Sequence, residues 1–325
     1  MDHSVARVRT ASSRETAQPL AGSGPGPPQA LAALPRGAPH RRAPRLVASL
    51  LRARLAAFGV VVLAVVVTSA LAAPLLAPHD PRAGTVAESK RPPFWMAGGL
   101  PTFPLGTDEL GRDILSRVLY GSRISLVVGL TAVLLAGTIG VSIGLVAGFY
   151  RGRVDDLLMR LTDIQLAVPF IVFAIAILAV LGPGLRNLIF TLGVTGWVTY
   201  ARVVRGQVLS LREKEFVEAA RALGASDRRL MVRHILPNTM ASIIVIASFA
   251  VATTILAEAA LSFLGLGVPP QVPTWGGMVA AGRDQIITGN WWIYVFPGAA
   301  IMLTVLAINA VGDWLRDYLD PRLRL

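Results

Sequence analysis

Six stretches of this chain are each about as long and as apolar as a bilayer crossing requires, and that repetition limits the fold more than any other feature. They cover residues 55–77, 124–149, 164–182, 187–204, 241–265 and 293–312. A bilayer core accepts runs of about 20 apolar residues, provided that each backbone polar group is satisfied within a helix. A soluble domain with 54% hydrophobic and only 15% charged residues would have too much apolar surface to hide. The expected fold is therefore all-α and integral to the membrane, with six transmembrane helices. The turn Gly182-Pro183-Gly184 makes the third and fourth spans an antiparallel pair.

Residues 1–45 carry Ala, Pro, Gly, Ser and Arg without a sustained apolar period and read as a disordered cytoplasmic tail, followed by a membrane domain over 46–325. The arginines set the orientation, because cationic loops are retained inside. With the N-terminus inside, Arg7, Arg9, Arg14, Arg36, Arg41, Arg42, Arg45, Arg52 and Arg54 are cytoplasmic. So are Arg151, Arg153 and Arg160, the basic segment 205–238, and Arg316, Arg322 and Arg324. Outside, Arg82, Arg91, Arg112, Arg117 and Arg123 are balanced largely by Asp80, Glu88, Asp108, Glu109 and Asp113. Both termini are thus expected in the cytoplasm, and the net charge of +12 is a topology signal rather than a nucleic-acid surface.

Several chemistries are excluded. There is no cysteine, so no disulfide, thiol nucleophile or Cys-ligated zinc. His3, His40, His79 and His234 are too scattered to suggest a metal site. Lys90 follows Ser89 and Lys214 follows Glu213, so neither has the glycine that a phosphate-binding P-loop places before its lysine.

Between the fourth and fifth spans, "EFVEAARALGASDRRLMVRHILPN" (215–238) has helix formers, then Gly224, then Pro237 before the next span. Small residues suit close docking against a partner, and Arg221, Arg228, Arg229 and Arg233 suit acidic groups around it, although an ordinary solvated loop reads the same way. Glu218, Ala219, Ala220, Gly224, Leu236 and Pro237 also fit a known pattern: EAA, three residues, Gly, nine residues, then I-x-L-P. The chain here resembles the inner-membrane permeases of ATP-binding-cassette importers. His234 replaces the general Ile, as in the dipeptide, oligopeptide and nickel branch. Residues 104–126, 149–163 and 255–279 resemble the C-type permease of that branch, and the likeness runs from 46 to 325.

The resemblance implies a type I (MetI-like) permease fold and a peptide transport subunit that is not an enzyme. It implies a homologous second permease, two ATP-binding subunits or one fused ATPase, and an extracytoplasmic solute-binding protein, in the cytoplasmic membrane of a prokaryote and among its lipids. ATP and Mg would be used by the ATPase, with no cofactor on this chain. Glu218, Ala219, Ala220, Arg221, Gly224, His234, Leu236 and Pro237 would form the coupling site. An ion-coupled secondary transporter is the alternative, with thin support, since Glu258 is the only acid well inside a span. Glu258 either meets solute on the translocation path or fixes helix packing. Asp108, Arg112 and Asp113 either contact an external partner or tie a short local helix through the i, i+4 pair of Asp108 and Arg112. Ala136, Gly140, Gly144 and Gly148 form a small-residue ridge, for a subunit or pore-side interface or for packing within the chain. Pro169, Pro269, Pro270 and Pro273 mark broken backbone, and the loop after Glu258 is a candidate outer gate.

Overall fold

The computed structural model describes residues 49–319. The tail, with Arg7, Arg9, Arg14, Arg36, Arg41, Arg42 and Arg45, lies outside the described residues, as do Arg322 and Arg324. Regular structure among the described residues is helical, with isolated bridges only at Gly84 to Arg112 and Thr107 to Asp113. The helices are α1 (Arg54–Leu76), α2 (Ile114–Tyr150), α3 (Gly152–Ala167), α4 (Phe170–Leu181), α5 (Leu185–Leu211), α6 (Glu215–Ala222), α7 (Leu236–Phe263), α8 (Trp275–Gly282) and α9 (Trp292–Leu319).

α2 and α5 form the most extensive helix pair. The small-residue ridge explains it. A Cβ at Gly144 would lie 2.5 Å from the Ala201 carbonyl oxygen, and one at Gly148 would lie 2.8 Å from Val208 Cβ. Gly140 faces the Trp197 carbonyl still more closely. Absent side chains let the two backbones meet, which resolves the ridge as packing within this chain. The same pairing accounts for α5 itself. It holds Arg202 and Arg205 and is 27 residues long, about 40 Å at 1.5 Å per residue, yet is less apolar than the other long helices.

Among the described residues, four helical segments are long and apolar enough to cross a membrane: α1, α2, α9 and the stretch Asp227–Phe263 that contains α7. The pair α3 and α4 adds a fifth crossing if counted as one broken span. Here the third span departs from the expected 164–182. Helix α3 starts at Gly152, the backbone bends by 90° across Val168 and Pro169, and α4 has only 12 residues. Proline locks its own φ and biases Val168 to the extended backbone observed there, so the chain leaves α3 at that point. At the other end of α4, Gly182 has φ +80° and Asn187 Nδ2 donates to the Leu181 and Gly182 carbonyls, turning the chain directly into α5.

Two other boundaries shift. α2 begins at Ile114, ten residues before the expected 124, because protein groups satisfy its first polar residues: Asp113 caps the helix and Arg117 donates to the Pro81 carbonyl. Helix also precedes Pro237. A helical turn at Asp227–Arg229 and a π-helical segment at Leu230–Ile235 lead straight into α7. Proline cannot donate a hydrogen bond and its ring crowds the carbonyl four residues back, so a widened turn before it relieves the clash.

The α2–α5 contact predicts a sharp asymmetry between two glycines. Gly144→Leu should destabilise by about 1–3 kcal/mol or more through overpacking. Gly206→Leu, whose Cβ would meet nothing within 4 Å, should change little. Thermal unfolding of the two purified variants checks this; similar melting shifts would refute it.

Candidate functional site

The segment after α5 projects from the ends of α2 and α5 and is fastened to both. Val217, Leu230 and Ile235 are fully buried with Leu145 and Phe149 of α2 and Val204 and Val208 of α5. Arg212 donates to the Phe149 carbonyl, Arg151 Nη2 pairs with Glu213 Oε1 at 2.6 Å, and the Arg212 and Arg221 guanidiniums lie 5.9 and 6.0 Å from the Phe149 ring centre. Such cation–π contacts at partly exposed sites contribute about 0.5–1 kcal/mol each. Desolvation, then the nearby Arg151 and Arg221 charges, pushes the Arg212 guanidinium below its ordinary value.

α6 opens at Glu215, with Glu215 and Glu218 in its first turn and Arg221 in its last, each charge matching the helix dipole. Gly224 ends it. Gly224 N–H donates to the Arg221 carbonyl at 2.9 Å and Ala225 N–H to the Ala220 carbonyl at 3.1 Å, the paired bonds of a Schellman cap. Gly224 has φ +83° with open space around it, so backbone conformation rather than crowding calls for glycine.

Of the expected coupling residues, Glu218, Ala219, Arg221 and Gly224 face outward. Ala220 packs inward against the buried cluster. His234, Leu236 and Pro237 lie apart from this surface, in the neck leading to α7, where Asn238 Nδ2 donates to the His234 carbonyl at 2.6 Å. Two residues outside the motif complete this surface. Leu223 is 90% exposed, and Phe216 is exposed on the same helix. With Ala219 they stand at i, i+3 and i+7, an apolar stripe on the outer side whose spacing was present in the sequence. Arg228, Arg229 and Arg233 stand exposed beside it.

Charges also fasten α3 to α5. Arg205 makes two hydrogen bonds to Asp155, at 2.5 and 2.6 Å, and Arg202 pairs with Asp163 at 2.5 Å. The planar guanidinium matches a carboxylate in such a fork, adding direction to charge.

At the opposite end, Asp108, Arg112 and Asp113 occupy a tight turn and not the short helix expected from their spacing. Gly111, with φ +72°, turns the chain back so that Thr107 bridges Asp113. The Asp108–Arg112 pair does form, at 2.7 Å, but buried, with Arg117 Nε 3.6 Å from the same carboxylate oxygen. Arg117 also donates to the Pro81 carbonyl at 2.9 Å and Arg112 to that of Pro270 at 3.3 Å. Asp113 caps α2, accepting from the Ser116 backbone at 2.8 Å.

Glu258 is fully enclosed. Its Oε1 accepts from Ser262 Oγ at 2.8 Å, and Thr274 is the other polar side chain beside it. Thr274 is the N-cap of α8, a helix not anticipated from the Pro-rich loop, and Gly276 lets α8 press on Ala259 of α7. In this conformation Glu258 sits in the α7–α8 contact and not on an open surface.

Comparison with known proteins follows the same lines. The family model described as binding-protein-dependent transport system inner membrane component matches residues 140–325, and that of the N-terminal TM domain of oligopeptide transport permease C matches 45–93. The chain is 46% identical over 266 residues to a di/tripeptide transport system permease protein of Pseudomonas aeruginosa, covering 82% of this chain and 88% of that one. It is 40% identical over 274 residues to an oligopeptide transport system permease protein of Bacillus subtilis, covering 83% and 87%. A solved inward-facing form of the MetNI methionine ABC transporter superposes with a TM-score of 0.53 at 18% identity, over 64% of this chain and 98% of the other, a likeness of fold.

The buried charge cluster yields a stability prediction. Asp108→Asn leaves two buried guanidiniums without their carboxylate, which should cost about 3–5 kcal/mol. Thermal unfolding of the purified variant measures it, and a wild-type melting point would contradict the role assigned to the pair.

Proposed function

We propose, from the premise that this chain belongs to the family of binding-protein-dependent transport system inner membrane components, that it forms half of the translocation pathway of an ATP-driven importer of di- or oligopeptides. The observation that carries the mechanism is the anchored, outward-facing α6. Its inner side shares a buried cluster with α2 and α5, and its outer side presents Phe216, Ala219 and the exposed Leu223. A partner ATPase that grips this stripe would move α2 and α5 with it, because the connection passes through packed side chains rather than a slack linker. ATP-driven closure of that partner would then favour one packing of the membrane helices over another by a few kcal/mol.

The assembly follows from this role. A homologous second permease supplies the other half of the pathway, two ATP-binding subunits or a fused pair consume ATP with Mg, and an extracytoplasmic binding protein delivers solute. The names of the relatives support peptides as cargo. The family assignment also sets aside the ion-coupled carrier. The setting is the cytoplasmic membrane of a bacterium, with six crossings and both termini inside. α5 serves as a crossing despite its polarity because α2 packs along it and Asp155 and Asp163 neutralise its arginines.

Two experiments test these statements. Leu223→Asp and Gly224→Trp should insert normally, since both positions are exposed, and should lose stimulation of the partner ATPase in reconstituted complexes. Burying a leucine contributes about 1.5–3 kcal/mol, so docking should weaken at least about tenfold. Undiminished stimulation by both variants would refute the docking surface. Because the chain has no cysteine, single replacements also report topology: Ser226→Cys should react with an impermeant maleimide only from the cytoplasmic side, and Ser89→Cys only from outside. The reverse pattern would overturn the orientation.

A further inference from the structure

The C-terminal end of α1, the turn after it, the first turns of α2, and Val272 and Pro273 of the loop before α8 line an open cleft of about 800 Å³. Arg82 and Arg123 stand exposed on its lining, and neither guanidinium pairs with a described carboxylate. Tyr120 shares a face of α2 with Arg123, one turn away. His79 adds a ring nitrogen, Nδ1, that is buried without a hydrogen bond and 3.7 Å from Asp113 Oδ2. Asp80 is the one acid lining the cleft, and its Oδ1 already accepts from the Arg82 backbone at 2.8 Å. The cleft is thus net cationic at one end.

The rest of the wall is apolar, with Pro74, Ile124 and Val127. Exposed apolar surface continues away from it along both helices: Leu71 and Leu75 on α1, and Val127, Leu130 and Leu134, at i, i+3 and i+7, on α2. Both helices are long and apolar enough to cross a bilayer. Cationic side chains at the ends of such helices lie at the depth of lipid headgroups, and their apolar flanks lie at the depth of the acyl chains.

We propose that this cleft is a binding site for an anionic phospholipid. Its phosphate is held by Arg82 and Arg123, with Tyr120 as a further donor, and an acyl chain lies along the exposed residues of α1 and α2. Guanidinium groups match phosphate oxygens geometrically and are weakly hydrated, which suits them to this position. A soluble anion would use only the cations and leave the apolar wall bare. A bound lipid fills both and seats α1 against α2 where helix contact gives way to the cleft.

Native mass spectrometry of the delipidated full-length chain, titrated with palmitoyl-oleoyl phosphatidylglycerol, tests the assignment. The wild type should retain one tightly held lipid, and Arg82→Ala with Arg123→Ala should weaken that binding by roughly ten- to a hundredfold, each charged hydrogen bond contributing about a factor of ten or more. Arg123→Lys should lose less than Arg123→Ala, and Val127→Gln, which makes the apolar wall polar without adding charge, should also weaken retention. Equal retention by wild type and the double alanine variant would overturn the proposal. So would displacement of the lipid by millimolar inorganic phosphate, the mark of a soluble-anion site, or by a dipeptide, the mark of a solute site.

Discussion

The close approach of α2 and α5 is the contact on which the rest of this structure depends. Lipid tails are as apolar as leucine, so helices in a bilayer gain little from hydrophobic sorting and associate through close packing and polar links. Gly140, Gly144 and Gly148 give α2 a surface without side chains, and the Trp197, Ala201 and Val208 region of α5 fills it. Once α5 is held there, Arg205 is in place to fork onto Asp155, so α3 is fixed to the same unit. The buried cluster below α6 has the same two helices as its floor. One helix pair therefore positions both α3 on one side and the α6 segment on the other.

Charge is handled differently at the two ends. Around residues 108–117, carboxylate and guanidinium groups are buried together, and their worth lies in holding loop, α2 and the loop before α8 in one arrangement. Buried pairs of this kind add little net stability compared with apolar substitutes, but leaving one partner alone is costly. Around α6, Arg228, Arg229 and Arg233 remain in solvent beside an uncovered apolar stripe. Exposed charges around an apolar centre suit an interface that must form and part, steering the encounter while the centre supplies most of the affinity.

The α6 segment is held rigidly to the helices around it. The Schellman cap at Gly224 stops α6 abruptly, and the π-helical segment before Pro237 carries the chain into α7 without a loop. Displacing α6 therefore displaces α2, α5 and the start of α7 rather than deforming a tether. At the other end of α7, Glu258, Ser262 and Thr274 join α7 to the start of α8, so the same helix links the α6 segment to the Pro-rich loop before α8.

The sequence by itself determined the membrane class, the approximate position of most apolar helices and the helix-then-glycine course of residues 215–224, because each rests on local information: an apolar run, a break at proline or glycine, or a short motif in register. Pro169 as a break and Gly224 as a stop were legible for the same reason, since both act through their own backbone. What faces what was decided only by tertiary structure. The glycine ridge was visible, but a strip of small residues fits any helix, and only its seat on α5 shows that it serves this chain internally. The i, i+4 spacing of Asp108 and Arg112 suggested a helix; Gly111, in a left-handed conformation, made it a turn, and that turn brings the Asp108 carboxylate to both Arg112 and Arg117. Leu223 was an ordinary apolar residue in the sequence, and its exposure became informative only when its neighbours Val217 and Ala220 were found packed inward. Burial is a property of the partners that surround a residue, and a linear pattern carries only one side of that contact.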